Sequence, residues 1–277
     1  MTESLRIIKL SLLSLMMIGN TQPLDNHLEV LSKRAMGTCK STTILITYDN
    51  NPHDPRLQPS WGFSCLVRCD QKSILFDTGG NSTILLDNME KLFINPKEID
   101  IVVLSHIHGD HTGGLAGLLK KNNSLSIYVP ISFPKRFKDE ASHHGASIEE
   151  VSASREIVSG VYTTGQLGHA IKEQSLIIKT SKGLVIITGC AHPGIVDIVG
   201  ASKDICNDRV YLVLGGFHLG GTSASQIKFV IENLEKSGVE KVAPCHCSGD
   251  DARLLFQRSF DKNYIEAGVG TKISILE

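Results

Sequence analysis

The chain lacks charge of one sign: 28 Lys and Arg against 29 Asp and Glu leave a net charge of −1. With no basic stripe there is no groove for a polyanion, so neither nucleic acid nor an anionic membrane is an expected partner. Long apolar runs, internal repeats and low-complexity tracts are also missing, which excludes polytopic membrane, fibrous and disordered classes. Aromatic residues are scarce, at 5%. The seven cysteines are odd in number and show none of the Cys-x2-Cys knuckles of a zinc ribbon. They read as reduced, mostly buried thiols, which places the protein in the cytoplasm.

What is present is the composition of a globular enzyme-sized body. At 277 residues, 41% hydrophobic and 21% charged, the chain can bury roughly three-quarters of its unfolded surface. Residues 1–42 read as an N-terminal extension and 43–277 as one α/β domain. Within the extension, Arg6 and Lys9 precede an apolar run at 10–18 that is too short to span a bilayer. Two readings stay open for residues 1–20: a signal-like segment that exports or tethers the chain, or a helix packed on the body. Glu3 and the want of a small-x-small cleavage site after Ile18 weigh against export.

Short strands are expected at 43–48, 63–69, 73–76 and 99–104, a hairpin at 175–188, and further strands at 209–214 and 239–244. Asn95-Pro96 reads as a helix start, and 225–237 as an amphipathic helix ended by Gly238. A short helix follows at 251–260. The stretch 130–164 carries no motif and reads as loops that shape a pocket.

The eleven histidines are the informative residues. The apolar strand ending at Leu104 runs into Ser105-His106-Ile107-His108-Gly109-Asp110-His111. In extended chain His106 and His108 point the same way and can grip one ion. Gly109 permits a sharp turn, which would bring Asp110 and His111 round to a second position. Two further apolar strands end in histidines, His192 in Gly189-Cys190-Ala191-His192-Pro193-Gly194 and His246 in Pro244-Cys245-His246-Cys247. His218, in Gly215-Gly216-Phe217-His218-Leu219, follows the same design. For it three roles stay open: metal ligand, acid–base group facing substrate, or structural histidine. His27, His53, His143, His144 and His169 lie in polar or irregular stretches and read as surface residues.

On these residues the chain resembles the metallo-β-lactamase-fold superfamily, whose hallmark is His-x-His-x-Asp-His after a strand. Trp61-Gly62-Phe63-Ser64-Cys65, Lys172-Glu173-Gln174-Ser175-Leu176 and the three strand-end motifs resemble a narrower subgroup, the 7,8-dihydropterin-6-yl-methyl-4-(β-D-ribofuranosyl)aminobenzene 5′-phosphate synthase-like proteins. The resemblance covers 43–277 and implies an αββα sandwich, two mixed β-sheets flanked by helices, with a metal pair at one edge. It implies that Asp77 is the aspartate buried behind the metal ligands. It also exposes a departure, since most dinuclear members carry a bridging aspartate where this chain has Cys190. Either Cys190 supplies a thiolate, or the bridge is lost and His192 does the holding.

The expected ligand sets are His106, His108 and His192 for one ion, and Asp110, His111 and His246 for the other. Neutral imidazoles with one carboxylate suit Zn2+, one or two per chain, with Fe or Mn as alternatives of the same ligand type. Zn2+ lowers the pKa of bound water from about 16 to about 7 and so makes a hydroxide nucleophile. Asp110 would take the nucleophile's proton and His218 would supply one to the leaving group. The expected activity is a metal-dependent hydrolase acting on a small phosphoester, lactone or thioester. One alternative is a transferase joining a dihydropterin diphosphate to an aryl ribose phosphate, with Trp61, Phe63 and Phe217 as stacking candidates. A second is a non-catalytic metal-binding sensor, against which the complete histidine motif argues.

Overall fold

The computed structural model describes residues 36–276. Both readings of residues 1–20, and His27, lie outside the described residues. Among the described residues thirteen strands form two sheets, numbered in chain order. The first sheet holds β1 (Ser41–Tyr48), β2 (Ser64–Cys69), β3 (Lys72–Phe76), β4 (Ile101–Val103), β5 (Ser126–Pro130), β6 (Ser147–Val151) and β13 (Lys272–Leu276), in the order β13-β1-β2-β3-β4-β5-β6. The second holds β7 (Ala153–Val158), β8 (Val161–Gly165), β9 (Leu176–Thr180), β10 (Gly183–Thr188), β11 (Val210–Gly216) and β12 (Lys241–Cys245), in the order β12-β11-β10-β9-β8-β7.

Apolar side chains from the two inner faces make the central core, with Ile44, Ile46, Val67 and Phe76 meeting Ile178, Ile187 and Leu214. β10 and β11 are buried at every position or nearly so, because helices cover the other face of their sheet. Those helices are α5 (Ile195–Cys206), α6 (Ala224–Lys236) and α7 (Asp250–Phe260). On the first sheet lie α1 (Ser82–Lys91), α2 (Gly109–Thr112), α3 (Leu115–Lys121) and α4 (Lys135–His143). The sheets are mixed. β3 and β4 run parallel, as do β10, β11 and β12, whereas β1–β3 and β8–β10 are antiparallel. This is the αββα sandwich expected from the resemblance.

The structure departs from the sequence reading in four places. Asn95 caps only a 3-10 turn, Pro96–Glu98, because Asp100 already donates its N–H to Ser73 and draws the chain into the sheet. Residues 130–164 are not loops but α4, β6, β7 and β8. β7 sits at a sheet edge with four solvated side chains, so it has no apolar alternation to read. The chain joins the second sheet at Cys39, which bridges Thr180, ahead of residue 43. Finally, Cys39 and Cys69 form a disulfide, where all seven cysteines were read as reduced; Cys65, Cys190, Cys206, Cys245 and Cys247 are free. No described helix is long and apolar enough to cross a membrane.

Candidate metal centre

The histidine motifs meet because every one of them follows the carboxyl end of a parallel strand, the edge at which α/β sheets build sites. β3 delivers Asp77, β4 delivers His106 to His111, β10 delivers Cys190 and His192, β11 delivers His218 and β12 delivers His246. Four of these ends hold a non-glycine residue in the left-handed region: Asp77 (φ 57°), Ala191 (60°), His218 (52°) and His246 (48°). Such backbone costs of order 1–3 kcal/mol per residue and persists where surrounding structure enforces it. Gly109 needs no special conformation. It opens α2 with helical backbone, and the helix start at His108 makes the turn.

One set of ligand atoms belongs to His106, His108 and His192, all within 4.8 Å of one another. His106 Nε2 lies 3.1 Å from His108 Nδ1, and the His192 ring centroid is 4.8 and 5.0 Å from those of His106 and His108. A second set belongs to Asp110, His111, His246 and Cys190. Asp110 Oδ2 is 3.6 Å from His111 Nε2 and 3.3 Å from His246 Nε2, while Cys190 Sγ is 3.2 Å from His111 Nε2. His218 stands beside the first set, its ring 4.5 Å from that of His192. His53, His143, His144 and His169 are exposed and lie outside these sets.

Hydrogen bonds behind the sets aim the rings. Asp77 is fully buried; its Oδ1 accepts Ser105 N–H and its Oδ2 accepts the Ser105 hydroxyl, each at 2.7 Å. Oδ2 also faces His111 Nδ1 at 2.7 Å, and Ser105 Oγ faces His106 Nδ1 at 2.9 Å. With protons on both Nδ1 atoms, each Nε2 presents a lone pair to the centre. Asn50 Oδ1 does the same for His246 Nδ1 at 2.9 Å. Gly189 allows the close approach of the β10 end, since a Cβ there would stand 2.1 Å from Ser105 Oγ.

Electrostatics favour the ligand protonation states of His106, His192 and Asp110. Burial, then the neighbouring His111 and His192, drives His106 far below the ordinary imidazole range. Burial, with His218 and His108, lowers His192 to about 4. Burial raises the Asp110 carboxyl, but His246 and His111 more than offset it and hold it below the usual carboxylate range. His111 moves the other way: burial lowers it, and Asp77 outweighs burial and raises it. Two buried ring nitrogens, His192 Nε2 and His246 Nε2, form no hydrogen bond, although Asp110 Oδ2 stands 3.3 Å from the second. A buried nitrogen without a hydrogen bond in each set, pointing among other donors, fits a divalent cation.

The model of the metallo-β-lactamase superfamily matches residues 62–200. The 7,8-dihydropterin-6-methyl-4-(β-D-ribofuranosyl)-aminobenzene-5′-phosphate synthase of Methanocaldococcus jannaschii is 34% identical over 258 residues, covering 74% of this chain and 88% of that protein. The chain belongs to the metallo-β-lactamase superfamily. Among solved structures of the superfamily, a metal-dependent hydrolase is 27% identical at a TM-score of 0.71, covering 85% of this chain and 100% of that one. The metallo-β-lactamase fold protein YhfI of Bacillus subtilis shares the fold at 14% identity and a TM-score of 0.67, over 85% and 99% of the two chains. This superfamily member is an enzyme of a fold that binds divalent metal.

Sequence reasoning missed Glu173, Asn50 and Cys247. Glu173 is fully buried; its Oε1 accepts the N–H groups of Gly189, Cys190 and Ala191, and its Oε2 that of His192, at 2.9–3.1 Å. Burial raises this carboxyl while the N–H donors oppose the rise. A carboxylate gripping four successive amides holds the loop that presents Cys190 and His192. It stands in the motif at 172–176 that carries the resemblance, but nothing near it in the chain gives it a role. Two stacking candidates are also corrected. Phe63 and Phe217 are buried in the cores, whereas Trp61 is 59% exposed with its ring 4.9 Å from that of His246.

Proposed function

We propose that the two sets hold two divalent cations and that the chain is a metal-dependent hydrolase of a small phosphoester, lactone or thioester. The observation that carries this reading is the convergence of two donor sets at one edge, in which His192 Nε2 has no hydrogen-bond partner and His246 Nε2 faces the Asp110 carboxylate. His106, His108 and His192 would hold the first ion. Asp110, His111 and His246 would hold the second, with Cys190 as a thiolate in place of the bridging aspartate expected from the resemblance. Zn2+ suits both sets, and Fe or Mn matches the nitrogen and oxygen donors. Bound ions of this kind lower the pKa of water and polarise a carbonyl or phosphoryl oxygen.

The chain's own groups do the rest. Asp77 and Ser105 keep the imidazole protons on Nδ1. Asp110, ionised and half-buried, accepts the proton that the attacking water gives up. His218 is exposed at the mouth; the Cys247 side chain raises its pKa first of all, and it donates a proton to the leaving group. The test is hydrolysis of phosphodiester, lactone and thioester probes by zinc-loaded protein, with His108→Ala as control. Turnover that survives loss of His108, or no turnover on any class, would overturn the hydrolase reading.

A second reading is favoured by Trp61, the aromatic face left open beside His246, and by the 34% identical synthase. A flat pterin ring would stack there while the ions assist departure of its diphosphate. Diphosphate release that needs an aryl ribose phosphate as acceptor, and falls at least tenfold in Trp61→Ala, would put the transferase first. Release with water alone would leave the hydrolase.

A further inference from the structure

Cys247 enters the chemistry above only through its effect on His218, yet it is built into the same edge. Its Sγ, Cys190 Sγ and a ring nitrogen of His218 lie within 4.8 Å of one another, and they come from the ends of three adjacent strands, β12, β10 and β11. Cys190 Sγ also belongs to the Asp110, His111 and His246 set. We propose that Cys190, His218 and Cys247 form a third cation position, selective for soft ions such as Zn2+, Cd2+ or Cu+, that shares the Cys190 sulfur with the neighbouring set.

The position is shaped in advance. Cys247 Sγ occupies space that exists because residue 216 is glycine: a Cβ there would stand 2.6 Å from that sulfur and 3.3 Å from Cys190 Cα. Ser248 ties the β11 and β12 ends together, accepting Phe217 N–H at 3.0 Å and donating to the Cys245 carbonyl at 2.7 Å. Gly220 N–H donates to the Cys247 carbonyl at 3.2 Å. These bonds hold His218 and Cys247 in register, and His218 adopts left-handed backbone (φ 52°), which the surrounding structure enforces.

The donor set decides the ion. Two sulfurs and one imidazole make a Cys2His position, the ligand type of three-coordinate protein sites that leave a fourth place open. Thiolates prefer soft cations, whereas the all-nitrogen set of His106, His108 and His192 has no such bias. The Cys247 thiolate and the shared Cys190 thiolate supply the negative charge at this position. His218 is exposed, so solvent reaches the position. One consequence rests on the proton-donor role given to His218 above: an ion here would withdraw that imidazole, and excess soft cation would slow turnover. Binding itself does not depend on that role.

The test is Cd2+ titration of the metal-free full chain under reducing conditions, read by bound equivalents and by sulfur-to-cadmium charge-transfer absorption. The wild type is expected to bind one more equivalent than Cys247→Ser, with a stronger sulfur band, and His218→Gln to bind that equivalent at least tenfold more weakly. Reactivity of the wild type gives a check free of folding defects: that same equivalent should shield Cys190 and Cys247 together from alkylation. Equal stoichiometry in wild type and Cys247→Ser, unchanged alkylation of Cys247, or a Cys190–Cys247 disulfide found without bound metal would overturn the proposal. Failure of the hydrolase reading would show elsewhere, as loss of the equivalents that depend on His108.

Discussion

Glu173 Oε1 accepts the backbone N–H of Cys190 at 2.9 Å, across a separation of 17 residues and inside the core. The same carboxylate binds the N–H of His192, so one buried charge sets the backbone of a residue from each ligand set. Glu173→Gln would turn an amide N–H2 toward one of these donors and leave it unpaired, at a cost of about 1–3 kcal/mol. The expected outcome is a lower thermal midpoint together with weaker retention of the ion held by His106, His108 and His192. Retention of both midpoint and metal content would show that the loop holds itself.

Asp77→Asn tests the aim of His111. Asparagine can still accept Ser105 N–H, but its N–H2 then opposes His111 Nδ1, now 2.7 Å from Asp77 Oδ2. The imidazole must move its proton to Nε2, the atom that faces Asp110 and Cys190. Loss of such a supporting carboxylate costs about 10–100-fold in metal affinity. Competition with a chelator, read for the second ion alone, measures it; the first ion should be less affected.

Cys39 and Cys69 close a loop with a sequence separation of 30. Chain-entropy bookkeeping for a loop of that length gives about 3–4 kcal/mol of stabilisation. Cys39→Ser should therefore lower the denaturant midpoint, and a reductant should lower the wild type to match it. The metal sets lie on other strand ends, so metal content of the folded variant should not change.

The metal-free protein should lose stability as pH falls from about 6.5, the unfolded imidazole value. His106 and His192 are held below that value when folded, His192 at about 4. Between those limits the unfolded chain binds more protons than the folded one, and the balance shifts toward unfolding. His111 carries the opposite sign, because Asp77 raises it; its contribution is present below 6.5 and fades as pH rises through its folded value. His218 is raised too, by the Cys247 side chain, but it is exposed and solvent-screened, so among the imidazoles the two strongly lowered groups set a net fall of the thermal midpoint from pH 7 to pH 5. A midpoint that climbs over that range would show His111 to dominate.

The cluster from His106 to His111 was legible because its geometry is local. An apolar strand that stops and alternation that aligns His106 with His108 are encoded in consecutive residues, and so is a turn ahead of Asp110 and His111, though it was expected at Gly109 and is made by the helix start at His108. His192 and His246 were legible for the same reason, each being the histidine that follows a buried strand. β7 was not, because an edge strand with solvated side chains carries no hydrophobic period. Nor were the partners of the ligands. Nothing near Asn50 in the chain announces His246, 196 residues away, and nothing near Glu173 announces four amides on the next strand's loop.

Chemistry of the donors, then, was determined by sequence alone: which strands end in nitrogen, carboxylate or sulfur, and that such ends belong to an αββα sandwich. Only the tertiary structure decided which donors share a position. Strand order places β10, β11 and β12 side by side, and that adjacency brings Cys190, His218 and Cys247 together, while the packing of the two sheets sets Cys190 against His111, which follows β4. Contacts between residues far apart in the chain depend on register and on close approaches such as those at Gly189 and Gly216. Those are properties of packed sheets, and no local pattern of residues contains them.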